Sequence, residues 1–179
     1  MSRLPNLRRD ELSPANQQVW DRVMSGRTGS GGPYGVLIHA PALAERLSAV
    51  ENYFRNDAVL PATDKELVIL ATARELGARF PWTRHEIRAR QAAVREEAIE
   101  ALRAHGSLDT LTAHERLLVE VVHSLLREHR LNDELFARAH TELGTEQLVE
   151  VVGLVGHYNL IGSVVNAFDI AAPEGSATF

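Results

Sequence analysis

The sequence predicts a single all-α domain, a helical bundle of about seven or eight helices organised around a central helical hairpin. Three observations predict it. Apolar residues recur at helical spacing in nearly every segment; Ser, Thr, Asn or Pro precedes most segments and Gly or Pro follows them; no alternating run is bounded by hairpin turns. At 179 residues, with 45% apolar and 24% charged content, the chain suits one soluble domain over 1–179 that buries its own core.

Residues 1 to about 12 are polar and arginine-rich, which reads as a flexible N-terminus with no apolar stretch of a signal peptide behind it. Ser13 then stands as N-cap before Pro14, and Val19, Trp20, Val23 and Met24 form a stripe, predicting a helix to about Met24. Four glycines within residues 26–32 read as a flexible surface loop over 25–33. A phosphate loop is excluded there, because no Gly-Lys-Ser/Thr and no preceding strand accompany the glycines.

Tyr34 to Ala40 has the β-branched content of a short strand, whereas Pro41 opens a helix on Leu43, Leu47, Val50 and Tyr53 or Phe54. His39, just before it, either caps that helix or points into a site. Past the central hairpin, Arg95 to Ala104 reads as a helix stopped by Gly106. Thr112 and Glu115 form a capping box for an amphipathic helix to about His129. Asn132 caps the next, ended by Gly144, and Thr145 caps the last, to about Ile170. The tail over 172–179 is small, polar and expected to be loose.

Leu60 to Ala93 concentrates polar groups on apolar helical faces. Thr63 and Glu66 have the spacing of a capping box, and Gly77 ends the helix they open. Arg79, Phe80 and Pro81 make a corner, and Trp82, His85 and Ala89 follow at i, i+3 and i+7. An antiparallel hairpin can bring Glu66 and Arg74 of one helix toward Trp82 and His85 of the other. Each has a structural reading beside the functional one: Glu66 as a cap, Arg74 in an ion pair, Trp82 in the core. His157, Tyr158 and Asn159 lie in the most apolar helix, where an unpaired donor costs about 1–3 kcal/mol, so they need partners.

The run E-L-V-I-L-A-T-A-R-E-L-G, then W-T-R-H, then A-A-V-R-E-E-A-I-E-A-L resembles the carboxymuconolactone decarboxylase family, which has the alkylhydroperoxidase-D-like all-helical fold. Similar stretches lie at Pro33 to Leu47 and Val155 to Phe168, so the resemblance covers most of the chain and makes Tyr34 to Ala40 a helix lead-in. The family's peroxidase members carry a Glu, a Cys twelve residues on, a second Cys three later and a His four after that; here these positions are Glu66, Ala78, Pro81 and His85. The resemblance implies Glu66 and His85 as a catalytic pair. It also implies an enzyme acting on a small carboxylated or lactone metabolite by proton transfer, with decarboxylation as the expected reaction. Arg74, Trp82, Tyr34, His39, His157, Tyr158 and Asn159 are the expected substrate-binding residues. A non-catalytic ligand binder is the alternative.

Zero cysteines removes disulfides, thiolate metal sites and dithiol peroxide chemistry together. No H-x-x-x-H or H-E-x-x-H spacing is present, so neither a metal nor another cofactor is expected. A net charge of −5 argues against nucleic acid, and the basic cluster Arg84, Arg88 and Arg90 reads as a solvated face. Val151 to Phe168 lacks Lys, Arg, Asp and Glu across 18 residues, yet its polar groups and acidic flanks predict a core helix, not a membrane span. Expected partners are therefore a small acid or lactone and further copies of the chain, as dimer, trimer or hexamer, in the cytoplasm.

Overall fold

Among the residues described by the computed structural model (2–5, 7–27 and 32–179) there are eight α-helices and no strands. They are α1 (Pro14–Met24), α2 (Pro33–Leu37), α3 (Pro41–Asn56), α4 (Ala62–Glu75), α5 (Arg79–Gln91), α6 (Glu96–Ala104), α7 (Ala113–His123) and α8 (Asp133–Ala167). Residues 28–31 of the glycine-rich loop lie outside the described residues. Local sequence explains the starts. Ser13 Oγ accepts from the Asn16 N–H, Asn132 Oδ1 accepts from the Leu135 N–H at 2.8 Å, and Thr112 and Glu115 close a reciprocal capping box.

Two local expectations are corrected. The Thr63/Glu66 capping box does not form, because α4 begins two residues earlier than that box requires, at Ala62 after Pro61, and puts Thr63 inside the first turn. Its hydroxyl instead donates to the Ala92 carbonyl at 2.9 Å, tying the start of α4 to the end of α5. The end of α6 is set by His105 in the left-handed region (φ 53°), not by Gly106. Gly144 (φ 72°, ψ 175°) is non-helical and divides α8 into two helical arms, as its place after Leu143 leads one to expect, and the apolar arm runs on to Ala167.

α4 is the central rod. Nine of its residues are buried, Asp64 and Glu66 to Ala73, and it packs against α5, α6, α7 and α8. A pattern apolar on nearly every side suits a helix surrounded by others. The main core gathers Leu67, Leu70, Trp82, Ile99, Leu118 and Leu154, and a second, smaller core joins α1, α2 and α3 to Ile161 of α8. α8 has the length and hydropathy of a membrane span, yet 56% of its most apolar window is buried within this fold. Phe179 stands edge-on to Trp82, with ring centroids 5.3 Å apart, and so carries the tail back onto α5.

At the far end of α4, Glu75 joins three elements, accepting from Arg127 Nε at 2.7 Å and His105 Nε2 at 2.7 Å, with His123 Nε2 at 3.3 Å. Arg127 chiefly, with His105 and His123, holds the Glu75 carboxyl down at about 2, against the opposing effect of burial. A depressed carboxyl stabilises the fold above its unfolded value of about 4.3, and that contribution is lost as pH falls towards the folded value. Glu75→Gln should therefore lower the urea midpoint at about pH 7 and lower it much less at about pH 3. The same deficit at both values would show that Glu75 is not acting through its charge.

Candidate active site

Glu66 lies in the second turn of α4 and faces α5, where His85 meets it: Glu66 Oε2 and His85 Nδ1 are 2.7 Å apart. The other imidazole nitrogen, Nε2, is 2.8 Å from the Tyr158 hydroxyl of α8. All three side chains are buried. With Glu66 ionised and the imidazole neutral, Nδ1 donates to the carboxylate and Nε2 accepts from the Tyr158 O–H. The three groups therefore form a continuous carboxylate–imidazole–phenol relay. Burial, then Glu51 and Glu66, pushes the Tyr158 phenol well above its ordinary value, so the hydroxyl stays protonated in the resting site.

Two adjoining clefts open on this relay, of about 470 and 310 Å³. His85, Tyr158, His157, Arg88, Glu51 and Arg55 line both, whereas Glu66 lines only the smaller. Taken together the walls carry Arg27, Arg55, Lys65, Arg84 and Arg88 against Glu51 and Glu66, an electropositive site in a chain of net charge −5. Burial works to raise the Glu51 carboxyl, but Arg27 first and Arg55 after it overcome that and hold Glu51 below the usual range. Arg27 donates to Glu51 at 3.0 Å and lies 3.7 Å above the Tyr34 ring. The Tyr34 hydroxyl, shut away beside them, makes no hydrogen bond among the described residues, and burial and then Glu51 drive its phenol up. His157 is lowered by burial and is neutral near pH 7; its ring meets Tyr158 edge-on at 5.3 Å.

Of the residues expected at the site, the fold brings together Glu66, His85, Tyr34, His157 and Tyr158. Four are placed elsewhere. Arg74 follows Glu66 by eight residues, about 12 Å along a helix, and so sits at the far end of α4. There it donates to the Arg103 carbonyl at 3.1 Å and covers the Phe179 ring. Trp82 is one turn nearer the corner than His85 and is entirely enclosed, its indole N–H donating to Glu86 at 3.0 Å. His39 neither caps α3 nor enters the clefts; it is exposed and bonds the Pro5 carbonyl at 2.9 Å. Asn159 points outward from α8, since its neighbour Tyr158 takes the inward direction.

The sequence reading missed Glu51, Arg55, Arg27 and Arg88. Arg88 stands at i+3 from His85, and that spacing alone puts both on one face; reading Arg84, Arg88 and Arg90 as one solvated group hid it. Glu51, Arg27 and Arg55 come together only through packing of α3 against the end of α1, which no local pattern announces.

Residues 41–124 match the model of the carboxymuconolactone decarboxylase family. No curated protein matches the chain. Among solved structures, the alkylhydroperoxidase AhpD core of an uncharacterized peroxidase-related protein from Ralstonia eutropha JMP134 is 16% identical with a TM-score of 0.78, covering 97% of this chain and 93% of that one. An uncharacterized peroxidase-related protein from Silicibacter sp. TM1040 is 11% identical (TM-score 0.77; 97% and 92% covered). A protein of unknown function from Agrobacterium tumefaciens, described as a putative antioxidant defence protein AhpD, is 20% identical (TM-score 0.67; 77% and 95% covered). These likenesses show the fold. The chain thus has an alkylhydroperoxidase-D-like all-helical fold, and its residues 41–124, which carry Glu66 and His85, are similar to the carboxymuconolactone decarboxylase family.

Proposed function

We propose that the protein is an enzyme that moves a proton to or from a small anionic metabolite, using Glu66, His85 and Tyr158 as one relay. The observation that carries this reading is the pair of bonds, 2.7 and 2.8 Å, linking the three buried groups beside an electropositive cleft. In the resting tautomer the Tyr158 oxygen has lone pairs free for a substrate proton while its own proton passes to His85 Nε2. The imidazolium formed is stabilised by Glu66, and the return step runs the same bonds backwards. Decarboxylation, the reaction in the family's name, belongs to this class: loss of CO₂ leaves a delocalised anion that the relay then protonates.

The names of the solved neighbours point to peroxide reduction. Thiol-dependent reduction needs a thiolate to attack oxygen and a second thiol to resolve it. Twelve and fifteen residues after Glu66 stand Ala78 and Pro81, and the chain has no cysteine, so we do not extend that activity to it.

The test is solvent-deuterium incorporation into a panel of small keto acids and lactone carboxylates, followed by NMR. Tyr158→Phe keeps the ring and removes the transferring oxygen; exchange should fall by about 10²-fold or more, while affinity changes by less than about threefold. Unchanged exchange in Tyr158→Phe would sink the relay.

A further inference from the structure

Arg88 projects from α5 one turn after His85 and lines both clefts. It is half-buried, and its guanidinium makes no hydrogen bond or ion pair with any described residue. The neighbouring cations are all engaged. Arg27 and Arg55 converge on Glu51, Lys65 Nζ donates to the Phe54 carbonyl at 2.6 Å, and Arg84 has interactions of its own. A desolvated cation without a counter-charge is costly, and burying it unpaired makes sense where an anion arrives from outside.

Resting on the proton-transfer reading above, we propose that Arg88 is the anchor for the substrate's carboxylate, and that the substrate is a small monocarboxylate. Its charged end lies against Arg88 and its remaining atoms lie against Phe80, Pro81 and Ile161. A guanidinium fork matches one carboxylate through two parallel N–H···O bonds. One uncommitted fork, not several, selects a single negative charge, and the apolar patch of Phe80, Pro81 and Ile161 suits a carbon skeleton better than a second anion. Arg88 and Tyr158 line the same two clefts, so a molecule anchored on the guanidinium occupies the space that the transferring oxygen faces.

The carboxylate on Arg88 survives turnover, so within the proton-transfer class the anchor selects proton exchange or isomerisation and not decarboxylation. A cation stabilises the ground-state carboxylate and so opposes its loss as CO₂. The group that exchanges a proton is therefore a different atom of the same molecule, held near the Tyr158 hydroxyl by the anchored end.

The experiment uses 4-oxopentanoate, its neutral amide and inorganic phosphate as probes, with the ring resonances of His85 and His157 as the readout. 4-Oxopentanoate should give saturable shifts, while the amide and phosphate should bind at least about tenfold more weakly. Arg88→Gln should weaken 4-oxopentanoate by at least about tenfold and leave the amide unchanged; Arg88→Lys, which keeps the charge and loses the fork, should fall between. Equal affinity of Arg88→Gln and the unaltered protein for 4-oxopentanoate, phosphate binding as tight as the carboxylate, or no saturable carboxylate binding would each overturn the anchor. Tyr158→Phe separates this failure from that of the relay, since it removes proton exchange while leaving carboxylate binding intact.

Discussion

His85→Gln is expected to lower turnover by about 10²- to 10⁴-fold, the range measured when a positioned acid or base is removed. Glu66→Gln should cost a comparable share. Glutamine still accepts a hydrogen bond from Nδ1, so the imidazole keeps its orientation, but no negative charge remains to stabilise the imidazolium. The double change should then cost little more than the worse single one, because a relay interrupted at one link carries nothing at the next. This fold removes the main rival explanation for Glu66. A capping residue would tolerate glutamine in stability and activity alike, yet α4 begins at Ala62 and Glu66 makes no cap. Additive losses in the double variant, or full activity in Glu66→Gln, would separate the two groups and refute the relay.

Much of the scaffold was legible because its signals are local. Ser13–Pro14, Thr112 with Glu115, and Asn132 each mark a helix start within one turn of chain, and the structure uses all three. The pairing of Glu66 with His85 was also readable, since the hairpin is short and the family spacing fixes both positions. The rest of the site depends on which face of each helix turns inward. The Thr63/Glu66 spacing satisfied a capping rule, but the helix started two residues sooner and left the carboxylate to reach across to α5. Arg74 and Arg88 offered the same chemistry on paper. Only the antiparallel geometry assigns Arg74 to the far end of α4 and Arg88 to the level of Glu66. Tyr158 and Asn159, adjacent in sequence, leave α8 in different directions, one buried in the relay and one exposed to solvent.

Trp82→Ala should be the most destabilising single change in the hairpin, at about 3–5 kcal/mol for an enclosed indole, a large part of the roughly 5–15 kcal/mol that holds a domain together. The ring is fully enclosed in the main core, with Phe179 edge-on at 5.3 Å and the Arg103 guanidinium 5.5 Å from its centre. Its N–H is one of the donors that satisfy the buried Glu86 carboxylate, alongside Arg90 and Arg103, so truncation removes a hydrogen bond as well as packing. Trp82→Phe, which retains most of the volume, should cost distinctly less. Phe179→Ala alone should have a smaller effect, and the Trp82–Phe179 cycle should show coupling of about 0.5–1.5 kcal/mol, as for other edge-on aromatic pairs. Urea unfolding followed by circular dichroism reads all of these. Carboxylate affinity decides whether Trp82 belongs to the core or to the substrate pocket: in Trp82→Phe, binding of 4-oxopentanoate should stay within about twofold of the unaltered protein, because the indole touches neither cleft. A variant that kept its stability but lost that binding would return Trp82 to the wall of the site.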